Sequence, residues 1–255
     1  PQVGGMKSTV MRLGIDLGGT KIEIVALDDD GATLARERVP TPYGDYDGTI
    51  RAIADLVRGI EGRLGRTGSV GVAMPGAFSA QTGLVKNANS VVLIGKPLDR
   101  DIEALLGRPV RLENDANCMA LSEAVDGAAA GASVVFGVIL GTGVGGGLVI
   151  DGKVVAGRNR IAGEWGHNPL PWPQPDELPG PVCYCGQTGC IETFLSGAGL
   201  ARAYTERTHR TLTAHDIAAA DLRGDADARA ALAAYRDRLA RGLARHDALL
   251  PREYA

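Results

Sequence analysis

Arg12-Leu-Gly-Ile-Asp-Leu17 runs into Gly18-Gly19-Thr20 and continues as Lys21-Ile-Glu-Ile-Val-Ala-Leu27. The first run is a short apolar strand, the two glycines turn the chain, and the second run alternates with the period of two that a strand imposes. The result is a hairpin bearing a phosphate-sized loop. Val134 to Leu140, Gly141-Thr142-Gly143 and a further strand to Ile150 repeat the pattern. Two such units in one chain predict a duplicated α/β fold with mixed sheets.

The intervening sequence supplies the rest of a first half. Ala32 to Val39 reads as a third antiparallel strand, and Tyr46 to Leu64 spaces Ile50, Ile53, Leu56, Val57, Ile60 and Leu64 as one helical face. Ser69 to Met74 is a buried strand ending at Pro75-Gly76, Leu98 to Leu106 a helix and Val110 to Leu112 a strand. Asp115 to Ala129 is a helix with Asn114 or Asp115 near its N-cap. Further on, helices are expected over Ile191 to Tyr204 and Asp225 to Leu243, the second with Leu232, Tyr235, Leu239 and Leu243 on one face. Arg245 to Ala255 shows no pattern. Pro1 to Val10 precede the first patterned segment and read as an appended stretch or an early start site.

With 255 residues, 45% hydrophobic and 22% charged, the chain has the composition of an ordinary soluble globular protein. A net charge of −3 offers no global basic field for nucleic acid or anionic membrane, so the expected partners are small molecules. Residues 127–150 are uncharged and long enough to raise the question of a membrane span. Eight of them are glycine, however, so strand, turn and strand fit better.

Asp16, Gly18, Gly19, Thr20 and Lys21 put an acid, two bare backbones, a hydroxyl and an amine on one turn, as a polyphosphate with Mg2+ needs. A plain hairpin turn is the alternative for either glycine loop. Gly141, Gly143 and Gly146 formally satisfy G-x-G-x-x-G, but the chain continues as a strand rather than a helix, so the dinucleotide reading fails. Glu113-Asn114-Asp115 sits where a strand ends and a helix begins, the place where open α/β sheets hold ligands, and Asp115 is the candidate base. The bland alternative is an N-cap. His167, Cys183, Cys185 and Cys190 form the His/Cys3 donor set of a closed structural Zn2+ site. The competing reading is a disulfide with a spare thiol, although three cysteines in one loop cannot all pair. Cys118 stands alone and reads as a small buried hydrophobe.

Taken in order, five motifs resemble the ROK family of sugar kinases. They are Asp16-Leu-Gly-Gly-Thr-Lys21, Glu113-Asn-Asp-Ala-Asn117, Gly141-Thr-Gly-Val-Gly-Gly-Gly147, Gly163-Glu-Trp-Gly-His167 and Cys183-x-Cys-Gly-x-x-Gly-Cys190-x-Glu192. Lys86-Asn-Ala-Asn-Ser90, Ser122-Glu-Ala-Val-Asp-Gly-Ala-Ala-Ala-Gly131 and Gly163 to Trp172 are most similar to the bacterial fructokinase (mannokinase-type) branch. The resemblance implies a two-lobed actin-like ATPase (ribonuclease H-like) fold with duplicated lobes over residues 11–120 and 121–255 and a zinc-binding loop. It also implies a cytoplasmic, ATP- and Mg2+-dependent hexose kinase, a homodimer in intact members, acting on the 6-hydroxyl of fructose. Mannose, glucose and N-acetylglucosamine are the alternative sugars.

By the same resemblance Asp115 is the general base, and Asn114, Asp115, Gly76, Glu164, His167 and Glu192 hold the sugar. Asp16, Gly18, Gly19, Thr20, Lys21, Gly141, Thr142, Gly143 and Gly145 hold the phosphates. His167 then serves zinc through one ring nitrogen and sugar through the other. Members of the family continue beyond the last helix into an adenosine-contacting loop and a closing helix. The ending Arg245 to Ala255 does not match that loop, so a weakly active or non-catalytic sugar-binding remnant is the alternative function.

Overall fold

The computed structural model describes residues 11–88 and 90–247, and the readings placed on Pro1 to Val10, on Asn89 and on residues 248–255 lie outside them. The chain divides into two compact units, Pro1–Cys118 with Gly157–Ile161, and Met119–Ala156 with Ala162–Ala255.

In the first unit, β1 (Met11–Leu17) pairs antiparallel with β2 (Lys21–Leu27), which pairs antiparallel with β3 (Thr33–Pro40). On its other side β1 runs parallel to β4 (Gly68–Met74), and β4 runs parallel to β7 (Val110–Asn114). The sheet order is therefore β3-β2-β1-β4-β7, with a small ribbon of β5 (Ala77–Phe78) and β6 (Val85–Lys86) beside it. Helix α1 (Tyr46–Leu64) starts where Asp45 accepts from the Gly48 N–H and stops at Gly65, whose left-handed backbone favours glycine. Its Ile50, Ile53, Leu56, Val57 and Ile60 share one core with Leu13, Ile15, Ile22, Ile24, Val70 and Val72, and α2 (Leu98–Leu106) adds Leu98 and Ile102. Each such side chain is worth roughly 1.5–3 kcal/mol when fully buried, which makes this core the main anchor of the unit.

Helix α3 (Asp115–Val125) stops short of the expected Ala129, because Ala128 and Ala129 turn back onto the Glu123 carboxylate and carbonyl. The second unit builds a three-stranded sheet, β10-β9-β8, from β8 (Val134–Leu140), β9 (Val144–Ile150) and β10 (Lys153–Val154). The single helix expected over Ile191 to Tyr204 is two: α4 (Ile191–Leu195) and α5 (Gly197–Thr208), broken at Ser196. The break has a local cause, since Ser196 is extended and its hydroxyl accepts from the Gly199 N–H as a new N-cap. A helix α6 (Ala214–Leu222) that weak periodicity concealed follows. Helix α7 (Ala226–Asp247) then runs past Arg245, into the stretch read as unpatterned. Its Tyr235, Leu239 and Leu243 pack against the buried Trp165, Ile191, Phe194 and Leu195. Among the described residues no helix is long and apolar enough to cross a membrane, and the uncharged stretch 127–150 holds β8 and β9.

Candidate active site

In the first unit the chemistry gathers at the C-terminal ends of two parallel strands. Asn114 ends β7 opposite Met74 of β4, so the Pro75-Gly76 turn and the start of α3 lie side by side. The Asn114 side chain ties them together: Nδ2 donates to the Gly76 carbonyl at 3.0 Å, and Oδ1 accepts from the Asn117 N–H at 3.1 Å as the N-cap of α3. Gly76 has φ +81°, and a Cβ there would stand 2.5 Å from the Lys86 carbonyl, so only glycine lets the turn close. Asp115 is the first residue of α3, with Oδ1 accepting from the Ala116 N–H at 2.8 Å. Burial pushes the Asp115 carboxyl up, opposed in part by that hydrogen bond, and the nearby Asp16 carboxylate adds to the rise.

The first glycine loop is closed by its own backbone. The Gly18 N–H donates to the Lys21 carbonyl at 3.0 Å, and the Thr41 hydroxyl donates to the Gly18 carbonyl at 2.7 Å. Asp16, Gly19, Thr20 and Lys21 are exposed there, an acid, an amine and accessible N–H groups suited to phosphate and its cation.

In the second unit Glu192 is built into the second glycine loop. Its Oε2 accepts from the Val144 N–H at 2.8 Å, and a Cβ on Gly143 would come within 2.6 Å of that oxygen. The Gly197 N–H, at the start of α5, donates to the Gly141 carbonyl at 2.8 Å. Gly141 and Thr142 stay exposed, and the Gly145 carbonyl accepts from the Trp165 indole at 2.8 Å. Glu164 and His167 are exposed on the same segment, and both glutamates, 164 and 192, act electrostatically on the Tyr184 phenol.

His167, Cys183, Cys185 and Cys190 converge, their ligand atoms all within 4.8 Å of one another. His167 Nδ1 lies 3.5 Å from Cys183 Sγ, and Cys185 Sγ lies 3.6 Å from Cys190 Sγ. Tetrahedral ligands about 2.1 to 2.3 Å from Zn2+ stand roughly 3.4 to 3.8 Å apart, a spacing these two pairs already have, so the donor set suits that ion. All four cysteines are free thiols, which removes the disulfide reading. Desolvation and the neighbouring sulfurs push the Cys190 thiol up to about 12. A bound cation reverses that cost by making thiolates favourable, as metal sites do. Cys118 is half-buried, and desolvation raises its thiol to about 11, so it is inert as a nucleophile.

Three groups at or near these sites have roles that sequence reasoning did not assign. Glu113, whose Oε1 accepts from Asn117 Nδ2 at 3.1 Å and which pairs with Arg160 at 3.7 Å, braces the start of α3. Tyr184, inside the cysteine loop, places its hydroxyl 2.9 Å from His167 Nε2. Glu177 receives Arg238 and Arg241 from α7 at 2.7 and 2.8 Å. Only the run of arginines along α7 carries a hint of the last, and the partner acid lies some sixty residues away.

The ROK family pattern matches residues 12–252. An N-acetyl-D-glucosamine kinase from Escherichia coli O127:H6 is 44% identical over 234 residues, 90% of this chain and 77% of that protein. A Shigella boydii N-acetyl-D-glucosamine kinase matches with the same identity and coverage. The ROK hexokinase of Thermus thermophilus superimposes with a TM-score of 0.78 at 33% identity, covering 92% of this chain and 76% of that one. A ROK glucokinase from Streptomyces griseus, solved with glucose and AMPPNP, gives 0.76 at 30% identity, covering 95% and 80%.

Proposed function

Because this chain belongs to the ROK family, has the family's two-lobed actin-like ATPase fold and is an ATP-dependent hexose kinase, we propose that its sugar is N-acetylglucosamine. The γ-phosphoryl group of ATP passes to the 6-hydroxyl. Relatives 44% identical over nine-tenths of the chain support that sugar over fructose. Fructose is the second reading, and it rests on short motifs, two of whose residues have structural contacts. Trp165 is a fully buried packing residue, and Lys86 Nζ donates to the Asn159 carbonyl at 3.0 Å.

The observation that carries the mechanism is the Gly76, Asn114 and Asp115 arrangement at the strand ends. Asp115 accepts the proton of the attacking hydroxyl as the new O–P bond forms and the bond to ADP breaks. Its raised proton affinity suits it to that task, and phosphoryl transfer asks little more of a base. Asn114, Gly76, Glu164, His167 and Glu192 hold sugar hydroxyls, and the two glycine loops hold the phosphates. Mg2+ neutralises phosphate charge when bound with ATP, and Asp16 is the residue that would hold it. His167 Nδ1 and the three cysteine sulfurs would hold Zn2+, which would fix the loop.

The test is single-turnover transfer to N-acetylglucosamine, fructose, mannose and glucose, with sugar affinities, for the native chain and Asp115→Asn. N-acetylglucosamine should give the highest kcat/KM. Asp115→Asn should lose about 10^2 to 10^4 in transfer while sugar affinity stays within a few-fold. The acid limb of the native kcat/KM should lie at a higher pH than an unperturbed aspartate would give, because Asp115 must be ionised. For stability the sign is the reverse. A raised carboxyl contributes fully below its unfolded pKa and loses that contribution as pH rises through the folded value, so Asp115→Asn should raise Tm at neutral pH. Near-normal turnover in that variant would remove Asp115 from the role of base.

A further inference from the structure

The two ring nitrogens of His167 face different partners. Nδ1 lies against the Cys183 sulfur, and Nε2 lies 2.9 Å from the Tyr184 hydroxyl. A Zn2+ held by Nδ1 would leave the ring proton on Nε2, to be donated to the phenol oxygen. Tyr184 meets the imidazole edge-on, with ring centroids 5.1 Å apart at 90°. Its side chain is nevertheless 81% exposed, so little packing surface opposes its rotation. The turn that carries it is tied by the Cys183 N–H to the Gln187 carbonyl at 2.8 Å and by the Gly186 N–H to the Cys183 carbonyl at 3.0 Å.

A phenol keeps its proton at neutral pH, and so accepts one hydrogen bond and donates another, as a sugar hydroxyl does. Glu164 and Glu192 are near enough to act on it electrostatically. Of the three side chains of this unit assigned to sugar hydroxyls, the Tyr184 hydroxyl is hydrogen-bonded to one, His167. Resting on that reading of the sugar site, we propose that Tyr184 is a positioning residue whose hydroxyl takes the place of a sugar hydroxyl on His167 Nε2 and yields it when sugar binds. In the empty site it keeps the Nε2–H aligned with an acceptor. The sugar then exchanges one neutral hydrogen bond for another, and each binding event must first displace the internal competitor.

Tyr184→Phe removes the oxygen and keeps the ring with its edge contact. Measured by calorimetry, its affinity for the preferred sugar should rise roughly two- to ten-fold, the equivalent of one neutral hydrogen bond no longer broken. KM should fall by a similar factor while kcat and the zinc content stay unchanged, a split that a general loosening of the loop would not produce. Tyr184→Ser, which keeps a hydroxyl too short to reach Nε2, should behave like the phenylalanine variant. Weakened or unchanged affinity in both variants would overturn the proposal and leave Tyr184 a direct sugar ligand or a bystander. Failure of the sugar site itself is separable, because the native protein would then bind none of the four sugars.

Discussion

Hairpins β1–β2 and β8–β9 each join two seven-residue strands around a glycine turn, yet they are held in place by different means. In the first, Leu13, Ile15, Leu17, Ile22, Ile24 and Ala26 are all buried, and the hairpin leans on the apolar face of α1. In the second, β9 reads Val-Gly-Gly-Gly-Leu-Val-Ile, and its glycines admit another stretch of chain instead of side chains. A Cβ on Gly146 would stand 2.7 Å from the Gly163 carbonyl, and one on Gly166 only 2.1 Å from the Val144 carbonyl. The segment carrying Glu164 and His167 thus lies directly on the strand, and Glu192 and Gly197 reach the turn itself. The second hairpin buries Val135, Val144 and Val149 too, but its turn is also tied to Glu192 and Gly197, just beyond the metal-ligand cluster, so the two should fail under different insults.

Metal removal should separate them most sharply. Protein purified without added zinc should hold about one Zn2+ per chain, and binding of structural Zn2+ is worth about 10 to 16 kcal/mol in zinc-finger peptides. Stripping it with a strong chelator should therefore accelerate amide exchange across residues 163–192 and in the turn at 141–144. The amides of β1, β2 and β4 should stay protected. Loss of protection throughout both units, or in neither, would break the comparison.

A polar pin comes next in size. Glu177 is only 7% exposed and joins the 163–192 segment to α7 through Arg238 and Arg241, while Arg241 also donates to the Pro171 and Trp172 carbonyls at 3.2 and 2.8 Å. Burial alone would raise its carboxyl, but the hydrogen bonds from Arg241 and Arg238 outweigh it and hold the group down at about 2. A depressed carboxyl contributes stability above its unfolded pKa and loses it as pH falls through the folded value. Glu177→Gln should cost about 3 to 5 kcal/mol at neutral pH, because it leaves two part-buried guanidinium groups without their anion. The difference from the native chain, measured by denaturant unfolding, should shrink between about pH 4 and pH 2. A cost that ignored pH would mean that shape, not charge, holds the pin.

How far the sequence reveals each region follows from the same contrast. Helix α1 was legible to the residue, because an apolar stripe, an aspartate before it and a glycine after it are local signals. Strands β8 and β9 were legible too, as was the His/Cys3 set, since metal ligands announce themselves by spacing. The break at Ser196 was hidden because Ile191 to Tyr204 keeps a helical run of apolar residues across it. Glu177 and Tyr184 were invisible for a different reason: their roles depend on partners brought together by the fold, and neither residue type is unusual in a loop. Asn114 and Asp115 fall between, readable as a cap locally and as a site only once β4 and β7 are seen side by side.

The smallest effect is expected at the first loop, and it is the most exacting test of the comparison. Thr41 ties that turn from outside, donating its hydroxyl to the Gly18 carbonyl at 2.7 Å while its N–H donates to the Thr20 carbonyl at 3.1 Å. Thr41→Val keeps the volume and the backbone bond and removes only the hydroxyl. The freed carbonyl lies at a half-exposed turn, where water can replace the lost donor, so the cost should be about 1 kcal/mol or less. Stability should fall by that amount, ATP affinity by a few-fold as the loop loosens, and sugar affinity not at all, since Asn114, Asp115 and Gly76 are held independently by β4 and β7. A loss of several kcal/mol would show that the first loop, like the second, depends on a polar tie. The apolar core beneath it would then be insufficient to fix the turn, and the distinction between the two hairpins would collapse.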